Sequence, residues 1–224
     1  MKISSQTLQV LKNFASINPN LLVKPGSVLS TISTNKNIFA KATVAESFPA
    51  SFAIYDMQQF LGVISIFEDP DFIFGEKSVT ISSEGRSVEY VYANQEMIVS
   101  PSEGVAEKVA VTNPEVTFDF TAQGLNEVIK ATAILQLDKI NVVSDNGVVN
   151  VVVADPKNPS SNKFSLKVSG VAQTDTAVGF AAENLKFIAG DYKVKISSKG
   201  VGSFRNDKLN VEYFVAADIK PKKG

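Results

Sequence analysis

The chain runs through one hydrophobic pattern twice. An amphipathic segment, Ser5–Ile17 (SQTLQVLKNFASI), opens a series of short β-type stretches that lead to a second helix-like segment over 56–67 (DMQQFLGVISIF). A further amphipathic segment begins at Thr121 (TAQGLNEVIKATAILQ), followed again by β-type stretches and a short helix-like piece over 181–188 (AAENLKFI). The residues of the two halves barely match, so periodicity recurs and not letters. Each half is about 110 residues long, enough to bury its own core. The pattern predicts an α+β chain of two similar domains: 1–93, a connector over 94–113, a second domain over 114–219, and a short basic tail over 220–224.

Local signals fill in this plan. Ser4 or Ser5 can cap the first helix, and Leu8, Leu11, Phe14, Ala15 and Ile17 share its apolar face, with Asn18 and Pro19 ending it. β-type stretches follow over 21–24, 27–33, 37–44 and 52–54, and Asp56 is a good cap for the second helix. Residues 72–74, 78–83 and 87–92 read as a meander, turning at Gly75 and at Glu84 and Gly85. Pattern dissolves from 93 to 113, which places the connector there. In the second half a strand over 116–120 precedes a helix burying Leu125, Val128, Ile129, Thr132 and Leu135. Asp145, Asn146 and Gly147 mark a hairpin between 140–144 and 148–154. Strands over 163–169 and 176–180 lead to the last helix, closed at Gly190, and 192–198, 203–204 and 209–218 finish the meander.

Composition removes whole classes of chemistry. There is no cysteine, hence no disulfide, thiolate nucleophile or structural zinc site, and an oxidising compartment is not required. There is no histidine, so no Ser-His-Asp or Cys-His centre can be assembled. With 22 basic and 23 acidic residues the net charge is −1, which gives no overall field to attract nucleic acid. Apolar runs fall short of the ~18 residues a membrane span needs. The start MKISSQ lacks the apolar core of a secretory signal, so a cytoplasmic location is expected. Glu68, Asp69 and Asp71 form the one dense carboxylate cluster, read as a solvated turn and not a metal site. Neither catalytic activity, metal nor cofactor is expected.

MKISSQTLQVLKNFASIN, together with FAIYDMQQFLGVIS over 52–65, resembles the sliding clamps of T4-type bacteriophages, the processivity factors of phage DNA polymerases. The likeness returns in AGDYKVKISSKG over 189–200 and in VEYFVAADI over 211–219, and is weak between Pro70 and Pro114. The final stretch also looks like the closing strand of eukaryotic sliding clamps. The resemblance implies the DNA-clamp fold, with helices inside and antiparallel sheets outside, and three two-domain subunits closing head to tail into a trimeric ring. Such a ring surrounds duplex DNA topologically, without reading sequence. It implies action in the cytoplasm of an infected bacterial host and loading by an ATP-driven clamp loader complex. The expected partners are the C-terminal tail of the DNA polymerase and late-transcription factors.

The same resemblance assigns roles to residues. Lys12, Lys130 and Lys186 would face DNA from the helices, with Lys139 just past the third helix. Ile98 and Val99 of the connector, with Phe214, Val215, Ala217 and Ile219 of the closing strand, would form a pocket for partner peptides. Ser87, Val88, Tyr90 and Tyr92 would lie on one side of the subunit joint, and Lys163, Phe164, Leu166 and Val168 on the other. A rival from another class is a non-enzymatic, ring-forming viral structural or assembly protein, which need not bind DNA.

Overall fold

The computed structural model describes residues 1–218 apart from Pro156 and Pro159. The expected pocket residue Ile219 and the basic tail over 220–224 therefore lie outside the described residues. The chain divides into two compact units, the first comprising Met1–Glu103 with Leu209–Val211. The second comprises Gly104–Lys208 and the chain from Glu212 onward. The division falls inside the expected connector.

In the first unit, helix α1 spans Ser5–Ile17, and its start is held by a short polar network. Ser4 Oγ accepts from the Thr7 backbone N at 3.2 Å, the N-cap bond that replaces a missing intrahelical partner. The carboxylate of Glu46 accepts from Ser4 N and from Thr7 Oγ1. The buried face is Thr7, Val10, Leu11, Phe14 and Ile17, while the expected Leu8 and Ala15 are only half-buried. Its bond to Glu46 draws Thr7 inward, so a polar residue occupies a place on the core face.

Four strands follow: β1 (Leu21–Val23), β2 (Gly26–Ile32), β3 (Ile38–Phe48) and β4 (Phe52–Ile54). β3 continues four residues beyond its expected end because Phe48 is buried, packed edge-on against Phe52 and Phe74 at 5.9 Å. Helix α2 (Met57–Ile64) starts where Asp56 Oδ1 accepts from Gln59 N at 2.9 Å. Strands β5 (Asp71–Phe74), β6 (Ser78–Ser83) and β7 (Arg86–Val91) complete the unit as an antiparallel three-stranded sheet with β6 central. β1 pairs with β4 and β2 with β3, both antiparallel, and α1 packs on β2, β3 and α2.

The second unit begins with a short helix, α3 (Val105–Val109), inside a stretch expected to be irregular. Strand β8 (Val116–Phe120) leads into helix α4 (Ala122–Leu135), capped by Thr121 Oγ1 accepting from Gly124 N at 3.0 Å. The buried face of α4 is Gly124, Leu125, Val128, Ala131 and Thr132, while Ile129 and Leu135 are half-buried. Next come β9 (Lys139–Asp145), β10 (Val148–Val153), β11 (Phe164–Ala172) and β12 (Thr176–Ala181). Strands β13 (Tyr192–Ser197), β14 (Val201–Asn206) and β15 (Val211–Ala216) close the chain. The hairpin between β9 and β10 is as expected, with Asn146 and Gly147 at φ 47° and 76°. The strand order is β12-β9-β10-β11-β8-β13-β14-β15, and α4 packs on β9, β10 and β11.

From α1 in the first unit and from α4 in the second, the chain runs helix, four strands, a helix or helical turn, and three strands; the second unit has α3 and β8 in addition, ahead of α4. The exception to expectation is the segment 181–188, which makes only a 3₁₀ turn, Ala182–Asn184. Half-buried Phe187 packs at a tilt against Tyr192, Phe204 and Tyr213 with ring centroids 4.7–5.3 Å apart, and adjacent Ile188 is buried. Both side chains turn inward from an irregular backbone that follows the 3₁₀ turn. Two tyrosine hydroxyls stand in for helical bonds: Ile188 N donates to Tyr213 OH at 3.3 Å, and Tyr192 OH donates to Ile188 O at 2.5 Å. Burial raises both tyrosine pKa values, which keeps these hydroxyls protonated. Gly190 consequently closes no helix.

Burial pushes the Glu46 carboxyl up, but the bonds from Thr7 and Ser4 outweigh it and hold its pKa below the usual carboxylate range. Its stabilisation is complete above the unfolded carboxylate pKa and is lost as pH falls through the lowered folded value. Glu46→Gln is expected to destabilise the protein by about 1–2 kcal/mol near neutrality. The gap to the wild type should shrink in acid, as read by urea unfolding at a series of pH values; a gap constant with pH would contradict this.

Candidate functional site

The exposed residues of α1, α2 and α4 include six amides, Gln6, Gln9, Gln58, Gln59, Gln123 and Asn126, beside small residues and one large apolar side chain, Ile134. Charge on them is sparse. Lys12 on α1 and Lys130 on α4 are exposed, and half-buried Glu127 accepts from Gln123 Nε2 at 2.8 Å. The other two expected lysines sit elsewhere. Lys139 opens strand β9 and is ion-paired with Asp218, whose hydrogen bond and charge raise the lysine pKa against partial desolvation. Lys186 is exposed on the irregular segment that replaces the expected helix. The amide faces were legible as polar spacing in the sequence but not as a chemical theme.

The acidic cluster is accounted for by an ion pair. Lys2 Nζ lies 3.0 Å from Asp69 Oδ2 and 3.4 Å from Asp71 Oδ2. Among the described residues, no three acidic groups converge as a metal site. Nor is any described helix long and apolar enough to cross a membrane.

The expected peptide pocket is only partly on the surface. In the first unit Ile98 is buried and Val99 is exposed. In the second, Phe214 and Val215 are 4% and 0% exposed, and only Ala217 of the described closing residues is half-exposed. Val211, Tyr213 and Val215 make one buried face of β15, and on the other Phe214 alone is buried between half-buried Glu212 and exposed Ala216, so Phe214 and Val215 both pack into the interior. A separate concavity of about 210 Å³ lies along the later connector, lined by Lys108, Val109, Val111, Asn113 and Lys199.

The start of the connector is held by a clasp that the sequence reading took only for a helix stop. Asn18, 1% exposed, donates through Nδ2 to Ile32 O at 2.8 Å and to Val99 O at 2.9 Å. Its Oδ1 accepts from Asn20 N at 2.8 Å, and Asn20 Oδ1 accepts from Val99 N at 3.4 Å. Both backbone groups of Val99 are thus bonded to asparagine side chains of the Asn18-Pro19-Asn20 turn.

Two strand edges are open, one in each unit. Among the described residues β7 pairs only with β6, leaving its other edge without a strand; Ser87 is exposed and Val88, Tyr90 and Tyr92 are half-buried. Between β7 and α2 lies a groove of about 480 Å³, lined by Tyr55, Gln59, Val63, Val88 and Tyr90. β11 divides its pairing: 164–168 pair with β10, and 169–172 pair with β8 on the opposite side. Gly170 permits this switch, because a Cβ there would lie 2.4 Å from Thr117 O and 2.5 Å from Phe118 Cβ. On the β8 side, residues 164–168 have no strand partner among the described residues; Lys163 is exposed, and Phe164, Leu166 and Val168 are half-buried.

Comparison with known proteins gives the family. Residues 3–95 match the family described as DNA polymerase processivity factor, and residues 117–219 the one described as gp45 sliding clamp, C terminal. The sliding clamp of Vibrio phage KVP40 is 32% identical over 223 residues, covering 97% of this chain and 99% of that one. The fold is similar to proliferating cellular nuclear antigen of Entamoeba histolytica (TM-score 0.66, 11% identity, 94% of each chain). It is similar also to the Helicobacter pylori beta clamp (TM-score 0.70, 17% identity), covering 99% of this chain but 66% of the other.

The clasp yields a direct expectation. Asn18→Ala strips donors from two carbonyls and should destabilise the protein by about 2 kcal/mol. Amide exchange over 95–103 should accelerate more than elsewhere in the first unit; unchanged exchange there would show that the clasp does not hold the connector.

Proposed function

The chain belongs to the sliding clamp family of DNA polymerase processivity factors, and from that premise we propose that three copies close into a ring around duplex DNA. It is a DNA sliding clamp that tethers the polymerase. The observation that carries the ring is the pair of open edges, β7 in one unit and residues 164–168 of β11 in the other. Different edges on one chain make a heterologous contact, which generates a closed ring when the rotation per subunit allows it. Closure also removes a hazard, since open edges recruit unwanted strands. Ser87, Val88, Tyr90 and Tyr92 of one copy then meet Lys163, Phe164, Leu166 and Val168 of the next.

Holding DNA by enclosure needs little direct affinity. Affinity from phosphate contacts rises with the number of cations and falls with salt, so a sparsely charged lining allows movement along the duplex. Lys12 and Lys130 are the proposed contacts, with Gln6, Gln9, Gln123 and Asn126 offering neutral hydrogen bonds. Lys139 and Lys186 contribute less, the first because Asp218 already meets its charge and the second because it stands off the helices. Partner tails dock along the connector, where Val99 is exposed and where the later connector forms its own concavity.

The clamp performs no catalysis in this reading. An ATP-driven loader opens it in the host cytoplasm, and polymerase and late-transcription factors share its surface. A ring-forming structural protein, the rival, would share the edges but not the family.

On a primed circular template with a cognate polymerase, loader and ATP, addition of this protein should lengthen products; no change in length would refute the tether. Lys12→Ala with Lys130→Ala should leave assembly intact and flatten the salt dependence of ring–DNA contact by about two units of log–log slope for each chain touching phosphate. An unchanged slope would remove these lysines from the lining.

A further inference from the structure

The two open edges carry opposite charges at one matching position, and we propose that Glu89 of one copy pairs with Lys167 of the next, fixing the register of the joint. The inference rests on the ring reading above and names the pair that makes the joint specific.

On β7 the exposed side chains are Ser87, Glu89 and Val91, alternating with half-buried Val88 and Tyr90. On β11 the exposed side chains are Ser165, Lys167 and Ser169, alternating with half-buried Phe164, Leu166 and Val168. When two edges join into one sheet, exposed residues must oppose exposed residues, because a slip of one position turns every side chain to the wrong face. The pairings of β7 with β6 and of β11 with β10 and β8 are antiparallel, and an added strand continues that pattern.

Only a few antiparallel registers satisfy the alternation. With Glu89 opposite Lys167, Val88 meets Val168, Tyr90 meets Leu166 and Tyr92 meets Phe164, so all half-buried members match. The joint then ends where β8 begins to occupy the edge of β11, at Ser169. Sliding by two residues toward Ser169 drives β7 into that occupied stretch. Sliding by two the other way sets Glu89 against Ser165 and leaves Lys167 opposite Ser87. The register with the ion pair is the one of these three that sets Val88, Tyr90 and Tyr92 against Val168, Leu166 and Phe164 together; the last slide puts Val168 opposite exposed Arg86.

Both charges are available. Glu89 Oε1 accepts from Ser78 Oγ at 2.6 Å, and Oε2 has no partner among the described residues. Lys167 makes no ion pair among the described residues, standing beside Asn150 on β10. The groove between β7 and α2 supplies room beneath: Leu166 and Val168 of the incoming strand would face Tyr90 and Val88, which line it. Buried apolar contact then provides strength, and the charge pair selects the register and excludes a self-pairing of two β7 edges, which would oppose like charges.

The test is charge exchange. Glu89→Lys and Lys167→Glu are made singly and together, thermal unfolding confirms that each folds, and light scattering over a concentration series reads assembly at low salt. Each single reversal should raise the concentration for half-assembly about tenfold, since it replaces attraction by repulsion at every joint. The double exchange should return it to within about threefold of the wild type, since the pair is restored with its signs reversed. A wild-type ring unaffected by either single change, or not recovered in the double variant, overturns the pair and its register. A wild type that stays monomeric at every concentration instead overturns the ring itself, and the inference with it.

Discussion

A β-strand with an open edge exposes a row of amides and carbonyls that another strand can pair, and the arrangement of this molecule depends on where two such rows lie. One belongs to β7, the last strand of its three-stranded sheet, and the other to the first half of β11. Neither is protected by proline or by a bulge in the described pairings. Gly170 makes the second possible by letting β11 approach β8 closely enough to change partners midway. Since the edges differ and sit in different units, pairing one with the other propagates from copy to copy. In the proposed ring that propagation closes.

Enclosure changes what the rest of the surface must do. A protein that grips DNA needs dense positive charge and accepts strong salt dependence. The helix faces here offer two exposed lysines among glutamines and asparagines, in a chain whose net charge is −1. For a tether defined by topology this is a coherent design, because amides can exchange hydrogen bonds with phosphate and water at little energetic cost to movement. The same logic places stability away from the DNA, in the Glu46 network that starts α1 and the Asn18 clasp that follows it. These bonds position the helix and the connector.

Local rules in the sequence located most elements and misread those decided by distant contacts. Ser5–Ile17 was legible to the residue because a serine cap and an Asn-Pro stop bracket a clean helical period. The Asn146-Gly147 hairpin was equally plain, since only a few residues tolerate its positive φ angles. The segment 181–188 read as a helix because spacing cannot reveal that Tyr192 and Tyr213 will take the backbone groups of Ile188. Phe214 is buried on a face of β15 where Glu212 is half-buried and Ala216 exposed, and spacing along one strand does not encode such a local cover. That Lys139 pairs with Asp218, 79 positions away, was not legible in local spacing either. The open edges were named through family resemblance; their charge match requires knowing which side of each strand faces out.

The most direct measurement is retention on DNA of different shape. Rings loaded onto nicked circular duplex and onto linear duplex of the same length are passed through a sizing column in moderate salt, and the linear sample is then repeated with its ends blocked by bulky protein. Encirclement predicts retention on the circle, loss from the free linear duplex by sliding off its ends, and recovery when the ends are blocked. Equal retention on circular and free linear DNA would mean that the protein grips its nucleic acid, and the central claim would fail.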